Sequence, residues 1–366
     1  MRLILTVTLL LSACVQPDVR VDKTGTPTGT ASSSVAGSPT PSPTASPLAF
    51  ANAALGTAWP GIVLYEAEGG QIRERTAAGS KDIARPCGQV QRLAAHPLGL
   101  LAECRGGPDV GEDLRLVSLG TGRASLLVSG TFLRNSWPAA LSPDGRSVAA
   151  FRLGNCDGPA PVCQTRVVLV DVGTGTEREI LPGGHHLGAR ISWTPLGLTL
   201  FQPECAEAGC AGTGDKGGTF VWDGAAFKRW SDLRFVASAG SWTLLERLTS
   251  FGDYSTPRSV IVRGPQGDVA LNAQARDSRA LAINDLGEAL VWRVDPDPIA
   301  QRGSLLRFGP DGTVRWQANL VGTVLDTVGM DVLLVASPTS AIELYDLKRL
   351  LRFETSAQWP NAMALR

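Results

Sequence analysis

An all-β fold assembled from repeated four-stranded units is the architecture this sequence predicts, on three observations. Short apolar strands pair around glycine-marked turns, and those turns recur at nearly even spacing. No segment of comparable length shows the i, i+3, i+4, i+7 apolar recurrence of an amphipathic helix. One kind of turn centres on Gly99, Gly145, Gly197, Gly240, Gly287 and Gly329, with intervals of 46, 52, 43, 47 and 42 residues. A tighter kind joins strand pairs such as LRLVSLGTGRASLLV, VVLVDVGTGTEREI and LLRFGPDGTVRWQ, and the two kinds alternate along the chain.

The chain begins with Arg2 and an apolar run from Leu3 to Leu11. As a helix that run is roughly 14 Å long, too short to cross a bilayer core of about 30 Å. A basic start, a short apolar core and then the small residues Ser12 and Ala13 form the pattern of a secretory signal over residues 1–13. Leu11-Ser12-Ala13-Cys14 resembles the lipobox of bacterial lipoproteins. The resemblance implies cleavage before Cys14, lipid on its sulfur and a palmitate-type membrane anchor, in a leaflet left open. Residues 14–50, rich in Thr, Ser, Pro, Gly and Ala, have too little apolar area to offset ordering and read as a disordered tether.

Residues 51–366 hold the repeats. Asp144-Gly145, Asp223-Gly224 and Asp311-Gly312 supply the positive φ and side-chain acceptors that tight turns need, and flanking Val, Ile, Leu and aromatic residues suit pleated surfaces. Four-stranded units that recur at this period bury their faces on one another, which points to a β-propeller. LSPDGRSVAAF (141–151) and VLVDVGTGTEREI (168–180) resemble the two halves of the TolB-like, WD40-related propeller repeat. Seven tight strand pairs against six wider ones predict seven blades, with six as the alternative, and the echo of NSWPAALSP in the terminal AQWPNAMALR predicts that C-terminal strands complete the first blade.

Six cysteines besides Cys14 remain: Cys87, Cys104, Cys156, Cys163, Cys205 and Cys210. An even number fits disulfides in an exported protein, and zinc-ligand spacings are missing. Sequential pairing is the expectation from the short loops, and Cys87 and Cys104 flank the turn at Gly99. Connections between second and third strands are the long ones, and in a propeller they emerge on one face. That face, with Asp109, Asp157, Glu204, Asp215, Asp253, Tyr254, Asp295 and Asp297, is the candidate partner surface.

Lys and Arg total 34, as do Asp and Glu, so no basic face is advertised and nucleic acid is not an expected partner. His96, His185 and His186 lack a carboxylate or cysteine at ligand spacing, the calcium-loop pattern is absent, and there is no G-x-S-x-G elbow. No cofactor, metal or catalytic residue is therefore expected. The function these features imply is a monomeric, lipid-anchored propeller in the cell envelope that binds or scaffolds envelope proteins or polysaccharide. The alternative is an extracytoplasmic lyase, glycosidase or dehydrogenase with its site at the axial mouth.

Overall fold

The computed structural model describes residues 47–54, 56–105, 112–131, 139–153, 165–184, 189–202, 217–247, 259–271, 278–294, 302–339, 341–356 and 362–366. They belong to one compact unit, Ala45–Arg366. Its regular elements are all strands; no helix occurs among the described residues.

β1 (Ala51–Asn52) precedes β2 (Leu64–Glu68), β3 (Gln71–Thr76) and β4 (Gly79–Ala84). Next come β5 (Val90–His96), β6 (Gly99–Cys104), β7 (Glu112–Val117) and β8 (Ala124–Thr131). β9 (Ala139–Leu141), β10 (Ser147–Leu153), β11 (Thr165–Asp171) and β12 (Glu177–Gly184) follow, then β13 (Arg190–Thr194), β14 (Gly197–Gln202), β15 (Gly218–Trp222) and β16 (Phe227–Ser231). β17 (Arg234–Ala239), β18 (Trp242–Arg247), β19 (Ser259–Gly264) and β20 (Gly267–Leu271) form the next set. The last are β21 (Ser278–Ile283), β22 (Ala289–Val294), β23 (Arg302–Phe308) and β24 (Val314–Val321), then β25 (Thr323–Val328), β26 (Val332–Ala336), β27 (Ile342–Asp346), β28 (Leu351–Ser356) and β29 (Ala362–Leu365).

The SPDG turn shows why these residues make these hairpins. Gly145 takes φ +75°, and its N–H donates to Ser142 O at 2.8 Å. Asp144 Oδ1 accepts from Ser142 Oγ at 2.6 Å and from the Arg146 N–H at 3.1 Å. A side-chain carboxylate thus replaces the backbone acceptors that the reversal leaves out. Asp171 does the same in DVGTGT, accepting from the Thr174 N–H at 2.8 Å.

The strands form a β-propeller of antiparallel meanders. Five sheets of four or five strands stand alone: β29-β2-β3-β4, β13–β16, β17–β20, β21–β24, and β25–β28 with β1 at its edge. The expected seven separate blades, or six, are thus corrected to five that stand alone. The remaining strands, β5–β8 and β9–β12, make one eight-stranded sheet, because the pair Arg152↔Thr131 joins β10 to β8. The C-terminal strand β29 pairs with β2 from Leu64↔Leu365 to Ala67↔Ala362. At the other terminus, residues 48–53 run along two sheet edges. The Leu48 N–H donates to Gln317 O at 2.7 Å, that of Ala51 to Leu350 O at 2.9 Å, and Phe50 packs edge-on against Tyr345.

First strands of neighbouring meanders approach one another, β29 to β5, β9 to β13 and β17 to β21, so they are the inner strands around the axis. Six apolar clusters fill the gaps between neighbours, each drawing on strands of two adjacent meanders. Phe151 and Leu198, for example, bridge β9–β12 and β13–β16, and burying such a side chain contributes about 1.5–3 kcal/mol. One gap differs. Among the described residues, no apolar cluster bridges β13–β16 and β17–β20. Polar, cation–π and aromatic contacts cross there: Thr219 Oγ1 donates to Leu233 O at 2.7 Å and accepts from the Phe235 N–H at 3.0 Å, the Arg263 guanidinium sits 5.6 Å from the Trp230 ring centre, and Trp230 meets Phe235 edge-on at 6.1 Å.

Candidate functional site

A cleft of about 670 Å³ opens at the axis beside this weakly packed seam. Inner strands β5, β9, β13 and β17 supply most of its wall, with β14 and β15 closing one side. Arg92, Arg190 and Arg234 line it. In the strand ladders Arg92 stands opposite Glu103, Arg190 opposite Phe201, and Arg234 opposite Glu246. The three arginines therefore occupy equivalent places, near the start of a first strand and the end of a second. From that end the chain runs on toward the third strand.

Buried glutamates back two of the arginines. Arg234 Nη2 lies 2.6 Å from Glu246 Oε2, whose side chain is wholly inaccessible. Glu246 Oε1 also accepts from the Ala280 N–H of the next sheet. Arg92 Nε lies 3.7 Å from Glu103 Oε2. Burial pushes the Glu103 carboxyl up to about 7, with Arg92 pulling it down and Glu112 pushing it up. Glu112 is raised by the same loss of water.

The rest of the wall is apolar or internally satisfied. Ser192 Oγ and Thr199 Oγ1 share a 3.0 Å hydrogen bond, and the Trp193 indole N–H donates to Ala140 O at 3.1 Å, tying β13 to β9. Leu141, Ile191, Phe201, Phe235 and Val236 complete an apolar surface. A second cleft of about 590 Å³ shares Arg92 and Ala94 with the first and is lined by β5, β25 and β29. It carries Asp326, whose carboxyl burial raises.

The anticipated partner-face residues Asp109, Asp157, Glu204, Asp215, Asp253, Tyr254, Asp295 and Asp297 lie outside the described residues, as do Cys14, Cys156, Cys163, Cys205, Cys210, His185 and His186. Cys87 and Cys104 form a disulfide that ties the segment before β5 to the end of β6. Such a bond fits an oxidising, extracytoplasmic compartment. His96 is buried and accepts from the Leu98 N–H through Nδ1 at 3.2 Å; loss of water lowers its pKa. No group of three or more His, Cys, Asp or Glu that could hold a metal occurs among the described residues.

Inspection of single motifs missed Arg92, Arg190, Arg234, Glu103 and Glu246. Aligning the repeats on their glycines would have found the arginines, which stand seven residues before Gly99 and Gly197 and six before Gly240.

No protein-family model matches the chain, and no curated protein matches it in sequence. Among solved structures it is similar to the β-propeller domain of the trilobed protease from Pyrococcus furiosus, at 11 % identity and TM-score 0.51 over 81 % of this chain and 94 % of that one. It is similar to the tricorn protease at 10 % identity and TM-score 0.55, covering 81 % of this chain. It also matches TolB from Acinetobacter baumannii at 15 % identity and TM-score 0.44 over 71 % of this chain. The chain spans 63 % of that TolB chain and 33 % of the tricorn protease chain. At such identities the likeness to the two protease structures shows a propeller fold and nothing of activity.

Proposed function

We propose that this chain is an extracytoplasmic binding module, a monomeric propeller tethered to a membrane by lipid on Cys14, which contacts an envelope protein or polysaccharide at its axial cleft. The observation that carries the reading is the cleft of about 670 Å³ between inner strands, open at the seam where no apolar cluster occurs among the described residues. Concave, largely apolar sites with a few convergent polar groups are where ligands bind. The Cys87–Cys104 disulfide supports a location outside the cytoplasm, and the Leu-Ser-Ala-Cys sequence supports the anchor.

The enzymatic alternative draws on the raised carboxyl of Glu103, since perturbed titrations gather at reactive sites. Its weakness is the cleft wall, where Ser192 and Thr199 hydrogen-bond each other and, among the described residues, no histidine or carboxylate lines the space. A photo-crosslinking amino acid placed at Ser192, in the full chain expressed in its host, tests the binding reading. Adducts are expected from Ser192 and not from Leu126 on the outer strand β8, and silence at Ser192 rejects the cleft as the contact site. Metabolic palmitate labelling that survives Cys14→Ser rejects the anchor.

A further inference from the structure

We propose, building on the binding reading above, that the second axial cleft holds a cationic side chain of a partner protein, lysine or arginine, on the carboxylate of Asp326.

Strand register places this carboxylate. Val324 pairs with Val335 and Asp326 with Leu334, so Leu325 is an extra residue in β25. β5 carries a matching irregularity, with Gln91 extra between the pairs Val90↔Cys104 and Arg92↔Glu103. Bulges of this kind re-aim side chains and recur beside functional sites. Both extra residues line the cleft of about 590 Å³, together with Asp326 and Thr327.

Asp326 remains accessible, while the surrounding protein displaces enough water to raise its carboxyl. Its Oδ1 accepts from the Thr327 N–H at 2.8 Å, and the Leu365 N–H of β29 also donates to the carboxyl. A carboxylate has about four acceptor sites, so these two backbone bonds leave capacity for a further donor. Glu66, Glu103 and Glu246, the buried carboxylates of second strands, each face an arginine. Asp326 differs: among the described residues, no lysine or arginine is one of the groups that act on its charge. The charge therefore stands uncompensated in a walled space, where poorly polarisable surroundings strengthen its pull on a cation.

Leu325, Met363 and Leu365 line the same cleft. Lysine and arginine lay their methylene stems along such surfaces and keep the charged head at the polar end. An amino sugar carries hydroxyls in place of that stem and matches the apolar wall less well.

Panning a random peptide library against the purified full chain, then titrating the selected peptides calorimetrically, tests this. Selected peptides are expected to carry lysine or arginine. Replacing that residue by norleucine should weaken binding about tenfold, as should Asp326→Asn, since each removes one charge-assisted contact. The asparagine keeps a side-chain oxygen for the Thr327 and Leu365 N–H groups, so the thermal midpoint should hold or rise. A purely structural Asp326 gives the opposite pair of results, a lowered midpoint with peptide affinity intact. Acidic or neutral selections, or basic peptides indifferent to Asp326→Asn, overturn the proposal. Chitosan oligomers serve as the amino-sugar probe: if they bind more tightly than any peptide and need Asp326, the peptide assignment falls while the binding module stands. If no peptide binds but Ser192 crosslinks, this proposal alone falls; if Ser192 is silent as well, both fall.

Discussion

Glu103 sits at the end of β6, 1 % exposed, with a carboxyl that burial holds near 7 and one arginine 3.7 Å away. Because its folded pKa lies above its ordinary value, the protonated form is the one folding favours. Its contribution is fully present below about pH 4.5 and is lost as pH rises through about 7, a decrease on the order of 2–3 kcal/mol. Denaturant titrations at pH 5 and pH 8 should show that Glu103→Gln removes this part of the pH dependence; an unchanged difference between the two pH values refutes it. Turn residues such as Asp144 and Gly145 are legible in the sequence because their hydrogen bonds span a few residues. The Arg92↔Glu103 and Arg234↔Glu246 pairs were not, since they depend on strand register, which no single motif displays.

Each meander is a local object: antiparallel neighbours, short turns, and a face of Val, Ile and Leu for the next sheet. That is why the four-strand rhythm could be read from glycine spacing, and why the blade count could not. A single bridge between Arg152 and Thr131 joins two meanders into one eight-stranded sheet, and nothing in the spacing of the turns announces it. The disulfide is likewise an element-scale device. It closes a chain separation of 17 residues around the β5–β6 hairpin, and Gly70 lets the neighbouring hairpin approach closely, since a Cβ there would lie 1.9 Å from Cys87 O. By loop-closure entropy the bond is worth about 3 kcal/mol. The double variant Cys87→Ser, Cys104→Ser should lose stability of that order in urea unfolding without losing strand circular dichroism; an unchanged midpoint shows that the bond constrains little.

Across the whole ring, stability is uneven. Among the described residues, neighbouring meanders are held by apolar clusters in every gap but the one between β13–β16 and β17–β20, where a threonine hydroxyl, a cation–π pair and the edge-on Trp230–Phe235 contact do the holding. Openings start where the least apolar area is lost. Hydrogen exchange should therefore be fastest, among the ring's strands, in β16 and β17; equal protection around the ring contradicts the seam. The cleft lies at this same place, so the proposed contact site is also the ring's softest joint. The segment from Leu48 to Ala53 adds something of a mechanical kind. It lies parallel to β28 and is bonded to the rims of two sheets before the first meander begins. Tension applied along it loads those bonds together, in shear, instead of peeling them singly. A body hauled by its leading end is thus gripped at two points of its circumference, and the pull reaches β2 only after that grip has failed.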